Sequence, residues 1–246
     1  MVTCYDATFA KLCADSQAVD YLLVGDSLGM VIQGHDNTLA VTLEQMIYHT
    51  QAVRRGLNSS AQKSTMEIIA DLPIHTYDSP AQALESSQAL LRAGADVVKL
   101  EGPALDVMAA LRQEGIRVCG HIGLTPQSIL DYKVQGKTEA EAQRLQHEAH
   151  SIQKVGAEMI VLEMIPAALA QRLTAELAIP TIGIGAGAAC SGQVLVLYDL
   201  LGLNQGFNPK FLKKFGSGAS LVLQALKTYS QEVRDGSYPS DAHSFH

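Results

Sequence analysis

No apolar run in this sequence reaches the ~18 residues of a membrane-spanning helix, so no membrane partner is expected. The opening stretch Met1-Val2-Thr3-Cys4-Tyr5-Asp6 has neither the basic nor the apolar region of a secretory signal. The four cysteines, Cys4, Cys13, Cys119 and Cys190, include no CxxC pair and are too sparse for the framework of a small disulfide-bonded domain. They read as reduced thiols, mostly small core residues, and a cytoplasmic location is the expectation. No His/Cys spacing suggests zinc. Lysine and arginine neither cluster nor interleave with aromatics, and at a net charge of -7 no nucleic-acid surface is expected; a small polar or anionic substrate stays compatible. No sequence repeat and no low-complexity linker interrupts the 246 residues, 47% of them hydrophobic, so residues 1–246 are expected to form one domain.

What the chain does have is a steady alternation of short apolar runs and helical segments. Strands are expected at 2–5, 21–24, 67–70, 96–100, 116–119, 158–162, 181–184 and 193–197. Helix signals lie between them. A first helix is expected over 7–16, and Thr42 with Gln45 forms a capping box for one running to about residue 55. Ser79, Pro80 and Gln82 supply an N-cap, a proline at the first helical position and a capping partner for 80–93, which Gly94 stops. Further helices are expected at 105–114, from Thr138 to about 155, after Pro166 with Leu169, Leu173 and Leu177 at four-residue spacing, and at 217–233, where Val222, Leu226, Tyr229 and Val233 form one stripe. Residues 57–65, polar and serine-rich, and 120–127 read as loops. Eight runs separated mostly by helices point to a single-domain parallel (β/α)8 TIM barrel, with functional residues at the C-terminal strand ends. The rival, a doubly wound open sheet, lacks a GxGxxG turn after its first strand.

Four carboxylates stand directly after such runs: Asp26, Asp71, Glu101 and Glu163. Brought together at a barrel mouth, Asp26, Asp71 and Glu101 would repel one another unless protons or a cation neutralised them. Magnesium suits three hard oxygen donors, because it takes few protein carboxylates and leaves positions for water or substrate oxygens. Lys99, two residues before Glu101, shares its strand face and is placed to bind a substrate carboxylate. A metal chelated by an α-keto acid acts as a Lewis acid for the enolate left when the neighbouring carbon loses a proton. Glu163, flanked by Leu162, Met164 and Ile165, is then the general base or acid, its pKa raised if it is buried. Each residue also has a plainer reading: an Asp after Gly caps a turn, a lone Lys is a solvated charge, and His121 is a satisfied loop histidine. Gly185-Ala186-Gly187 resembles a barrel phosphate site, or forms a tight turn.

The stretches VGDSLGM at 24–30, QGHDNTL at 33–39, VTLEQMIYHTQAVRRG at 41–56, ADLP at 70–73, VKLEG at 98–102, GHIGLTPQ at 120–127, YKVQG at 132–136, VLEMIP at 161–166, IPTIGIGAG at 179–187 and YPSDAHSFH at 238–246 run in order along nearly the whole chain. In these the sequence resembles the ketopantoate hydroxymethyltransferase family of pantothenate biosynthesis. The resemblance implies a magnesium-dependent barrel that moves a hydroxymethyl group from 5,10-methylenetetrahydrofolate to 3-methyl-2-oxobutanoate, giving 2-dehydropantoate and tetrahydrofolate. By motif it implies Asp26, Asp71 and Glu101 as metal ligands, Asp26, Ser27, Asp71 and Lys99 as keto-acid contacts, and Glu163 as proton acceptor. It also implies a homo-oligomer, with decamers built from pentameric rings. Three features depart from the family pattern: the sequence opens at the first strand without the family's lead-in helix, the stretch 57–66 is longer, and 128–132 is shorter and lacks the usual Gly-Gly. Two other readings are open. One is a barrel of the phosphoenolpyruvate mutase and isocitrate lyase type, against which GHIGLTPQ and YKVQG weigh; the other is an inactive paralogue retained as a binding or assembly subunit.

Overall fold

The computed structural model describes residues 1–61, 65–129 and 131–245. It contains two compact units, Met1–Val196 and Leu197–His246. The first holds eight strands: β1 (Val2–Thr3), β2 (Tyr21–Val24), β3 (Glu67–Asp71), β4 (Val97–Lys99), β5 (Val118–Gly123), β6 (Met159–Glu163), β7 (Thr181–Ile184) and β8 (Gly192–Gln193). They pair in chain order and all in parallel. A parallel bridge from Val2 to Leu195, in which the Thr3 N–H donates to the Leu195 carbonyl at 3.1 Å, joins the first strand to the chain just after the last. The sheet therefore closes into a barrel, as expected from the eight apolar runs. Helices α1 (Ala7–Ser16), α2 (Leu28–Val31), α3 (Leu43–Asn58), α4 (Pro80–Ala93), α5 (Leu105–Gln113), α6 (Glu139–Lys154) and α7 (Ala167–Glu176) fill the connections.

Local chemistry accounts for the helix starts. Thr42 with Gln45 and Thr138 with Glu141 each form the full reciprocal capping box, and the Ser79 hydroxyl accepts from the Gln82 N–H ahead of Pro80. Gly94 ends α4 in the left-handed region at φ 111°, which costs a glycine little.

Leu23, Ile69, Val97, Cys119, Met159, Val161, Ile182 and Val194 form one buried cluster fed by seven successive strand segments, as only the inside of a barrel allows. Strand side chains alternate faces with period two. Two residues beyond Ile69, Val97, Cys119 and Val161, on the same face and toward the C-terminal strand ends, stand Asp71, Lys99, His121 and Glu163. Glu67, Asp96 and Glu158, at the opposite strand ends, are instead paired with arginine. Arg117 bonds Glu67 and Glu158, Arg112 reaches Glu158 at 3.2 Å, and Arg54 pairs with Asp96, whose carboxylate also accepts the Ile68 N–H.

Several expectations need correction. β5 runs on to Gly123, so 120–123 is strand rather than loop and His121 lies inside the sheet; its pairing with β6 from Cys119 to Gly123 keeps those backbone groups bonded. β8 is only Gly192–Gln193, and Leu197 opens a helix instead of ending a strand. β1 ends at Thr3, α3 continues to Asn58, and α2 follows Asp26 where a loop was expected. Residues 62–64 of the long 57–66 stretch and residue 130 of the shortened one lie outside the described residues.

All four cysteines are free, with Cys4 and Cys119 buried and Cys13 and Cys190 partly so. Burial pushes the Cys4 and Cys119 thiols up to about 12, as suits inert core residues.

The second unit carries α8 (Leu197–Leu200) and α9 (Gly218–Asp235). The stripe of Val222, Leu226, Tyr229 and Val233 is present on α9, but all four are exposed and no α9 residue is buried. Among the described residues no helix is long and apolar enough to cross a membrane.

Candidate active site

At the C-terminal strand ends the expected residues meet. Asp26, Asp71, Lys99 and Glu101 are all buried, at 3% to 8% exposure. Asp71, last residue of β3, accepts the Asp26 backbone N–H at 3.1 Å on one carboxylate oxygen and the Lys99 ammonium at 2.6 Å on the other. Register explains the second contact, since Asp71 and Lys99 are direct partners in the β3–β4 pairing. Gly25 makes room for the first: a Cβ there would stand 2.9 Å from Ser27 Oγ and 3.4 Å from Asp71 Oδ2. Lys99, for which a solvated charge was the plainer reading, is thus a buried ion-pair partner.

The charges do not balance. Burial, and then the Asp71 and Glu101 charges, push Asp26 up to about 8 despite the opposing Lys99 and the amide of Gln127. Burial works against the Lys99 charge, but Asp71, Glu101 and Asp26 outweigh it and hold the ammonium well above its usual range. Burial also acts against the Glu101 charge; His121, Lys99 and the Gln127 N–H overcome it and lower that carboxyl.

His121 stands between two acids, with Nδ1 3.5 Å from Glu101 Oε1 and Nε2 3.2 Å from Glu163 Oε2. Both nitrogens are close enough for charge attraction but neither is aimed for a good hydrogen bond. Burial and Lys99 disfavour the imidazolium, yet the two carboxylates prevail and raise His121 to about 9. It is therefore no isolated loop histidine. Glu163, at the end of β6, is the most open of these acids, with 19% of its side chain exposed. The Ser27 hydroxyl makes no cap bond to α2 and is 2.8 Å from the Tyr5 hydroxyl instead.

Two further residues belong to the cluster. The Gln127 amide donates to Asp26 Oδ2 at 2.8 Å and to the Leu72 carbonyl at 3.0 Å, its backbone N–H donates to Glu101 Oε2 at 2.9 Å, and Tyr77 donates to its side-chain oxygen. GHIGLTPQ held the signal for Gln127, but a neutral amide in a loop names no chemistry until its partners are seen. Tyr77 carried no signal.

Among the described residues no group of three His, Cys, Asp or Glu side chains stands ready-made as a metal cage. The donor set nonetheless suits magnesium, which needs few protein ligands: hard carboxylate oxygens, buried, with one acid pushed toward neutrality by burial and by its acidic neighbours. Asp26, Asp71 and Glu101 are the residues that would hold it.

The ketopantoate hydroxymethyltransferase family model matches residues 1–241. The chain belongs to that family. Among its relatives in the family, a 3-methyl-2-oxobutanoate hydroxymethyltransferase of Idiomarina loihiensis is 46% identical over 249 aligned positions, covering 99% of this chain and 91% of the relative. One of the same name from Shewanella denitrificans is 48% identical, again over 99% and 91%. This member of the ketopantoate hydroxymethyltransferase family is accordingly an enzyme, a transferase of hydroxymethyl groups. Similar solved structures include a putative phosphonomutase from Burkholderia cenocepacia, with TM-score 0.63 and 16% identity over 96% of this chain and 92% of that one. Another is 2,3-dimethylmalate lyase of the phosphoenolpyruvate mutase and isocitrate lyase superfamily, with TM-score 0.61 and 15% identity over 96% and 82%. At such identity they establish the shared fold alone.

Proposed function

We propose that this transferase moves the one-carbon unit of 5,10-methylenetetrahydrofolate to 3-methyl-2-oxobutanoate, giving 2-dehydropantoate and tetrahydrofolate for pantothenate biosynthesis. The observation that carries the mechanism is the meeting of three buried carboxylates with Lys99, with a more open Glu163 at the same strand ends. Lys99 and Ser27 bind the keto acid's carboxylate and oxygen, with Asp26 and Asp71 contacting it alongside. Asp26, Asp71 and Glu101 would hold magnesium, which would supply Lewis-acid stabilisation of the negative charge that develops on the keto oxygen. Glu163 takes the proton from C3, and His121, 3.2 Å away, steadies the carboxylate before the transfer. In sum the C3–H bond, one O–H bond of a water and both bonds from the methylene carbon to the folate nitrogens break; the methylene carbon bonds to C3 and to the water's oxygen, and the two released protons end on the two nitrogens of tetrahydrofolate.

The test is proton–deuterium exchange at C3 of 3-methyl-2-oxobutanoate, followed by NMR before any folate is added. Exchange is expected with magnesium, and is expected to fall by at least about 100-fold with chelator or in Glu163→Gln. A folded, magnesium-loaded protein that exchanges nothing with or without the folate would overturn the enolate chemistry.

The same reading includes a cytoplasmic homo-oligomer, with decamers as the family form. The exposed apolar stripe of α9 supports self-association, which light scattering of the purified chain reads directly.

A further inference from the structure

Gln127 is the most thoroughly tied neutral residue of the site. It is 6% exposed and follows Pro126 after β5, yet it reaches residues placed by three other strands: Asp26 after β2, Leu72 and Tyr77 after β3, and Glu101 after β4. Its amide has one possible orientation. The Leu72 carbonyl accepts hydrogen bonds only, so the NH2 group must face it, at 3.0 Å, and from there it also reaches Asp26 Oδ2 at 2.8 Å. That leaves the amide oxygen to accept from the Tyr77 hydroxyl, and a flipped amide would set oxygen against oxygen at the Leu72 carbonyl. Its backbone N–H independently holds Glu101 Oε2. Asp26 and Glu101, which repel, are thereby each bound through one oxygen by the same residue.

We propose that Gln127, oriented by Tyr77, is a positioning residue that sets Asp26 and Glu101 for a divalent cation. The proposal rests on the reading that these carboxylates hold the metal. Donors behind a ligating carboxylate fix its rotamer before the ion arrives, and their loss commonly weakens metal binding by about 10- to 100-fold. A residue that merely stapled loops would affect melting and leave the affinity of the folded protein unchanged.

Manganese is the probe, because its free and bound forms are separated by electron paramagnetic resonance without turnover. The purified full chain, Gln127→Met and Tyr77→Phe are each titrated with Mn2+ in the absence of substrate, with circular dichroism confirming the fold. Gln127→Met keeps the side chain's bulk and the backbone donor to Glu101 while losing the amide. Binding about tenfold weaker or more is expected for it, and a smaller loss for Tyr77→Phe, which frees the amide to turn. Unchanged Mn2+ affinity in both folded variants would overturn the proposal while leaving the metal reading intact. If Gln127→Met fails to fold, Tyr77→Phe decides alone. A wild-type chain that binds no Mn2+ would overturn the metal reading and this proposal together.

Discussion

Asp26 holds its proton up to about pH 8 in the folded, metal-free protein because burial, Asp71 and Glu101 disfavour its charge, whereas an unfolded aspartate releases it near ~3.9. An acid whose pKa is raised by folding contributes its full stabilisation below the unfolded value and loses it as pH rises toward the folded one. Metal-free wild type should therefore lose stability across about pH 4 to 8 from this group. Asp26→Asn stays neutral, so in chelator it should show a shallower decline and melt higher than wild type at about pH 9. Saturating magnesium should reverse that order. Parallel melting curves for the two proteins in chelator would show that Asp26 is not the strained group. The acids themselves were legible in the sequence because each directly follows an apolar run. The partners were not: Tyr77 and Gln127 sit in loops, and a hydroxyl or amide has no periodic signature.

Gly123 ends β5 opposite Glu163 at φ 96°, and an added Cβ would lie 2.1 Å from the Glu163 carbonyl oxygen. That carbonyl accepts the Leu124 N–H at 2.8 Å, so the strand ends cannot part without moving the acid. Gly123→Ala should therefore cost more than the ~1 kcal/mol of an unfavourable backbone conformation, because a hard backbone contact is added to it. It should also depress C3 exchange beyond what the lowered melting temperature explains; normal exchange in a folded variant would contradict the placement of Glu163 through β5. Helix starts were readable at this scale because capping is local chemistry, and α4 has the bounds that Ser79, Pro80 and Gly94 signal. The end of β5 was misread because Gly120 and Gly123 look like turn residues. Only the neighbouring strand shows that Gly120 is held in a ladder beside Ile160.

Across the whole barrel, acids at the two strand ends have opposite fates. At the N-terminal end Glu67 and Glu158 are matched by Arg117, with Arg112 assisting, and the charge is spent on structure. Arg117→Met should lower the melting temperature by a few degrees, less in high salt because these groups are about one-third exposed, and leave C3 exchange per folded molecule unchanged. A large loss of exchange at full folding would mean that the two ends are coupled. The sequence by itself determined the element alternation, the helix caps, the eight-strand barrel and the acids at one set of strand ends, because period, capping and strand length are properties of neighbouring residues. Only the tertiary structure decided which acids stay unbalanced. Asp71 and Lys99 are 28 residues apart, and Gln127 and Asp26 are 101 apart. Nothing local to any of them reveals that closing a parallel sheet leaves arginines for the acids below and too few cations for those above.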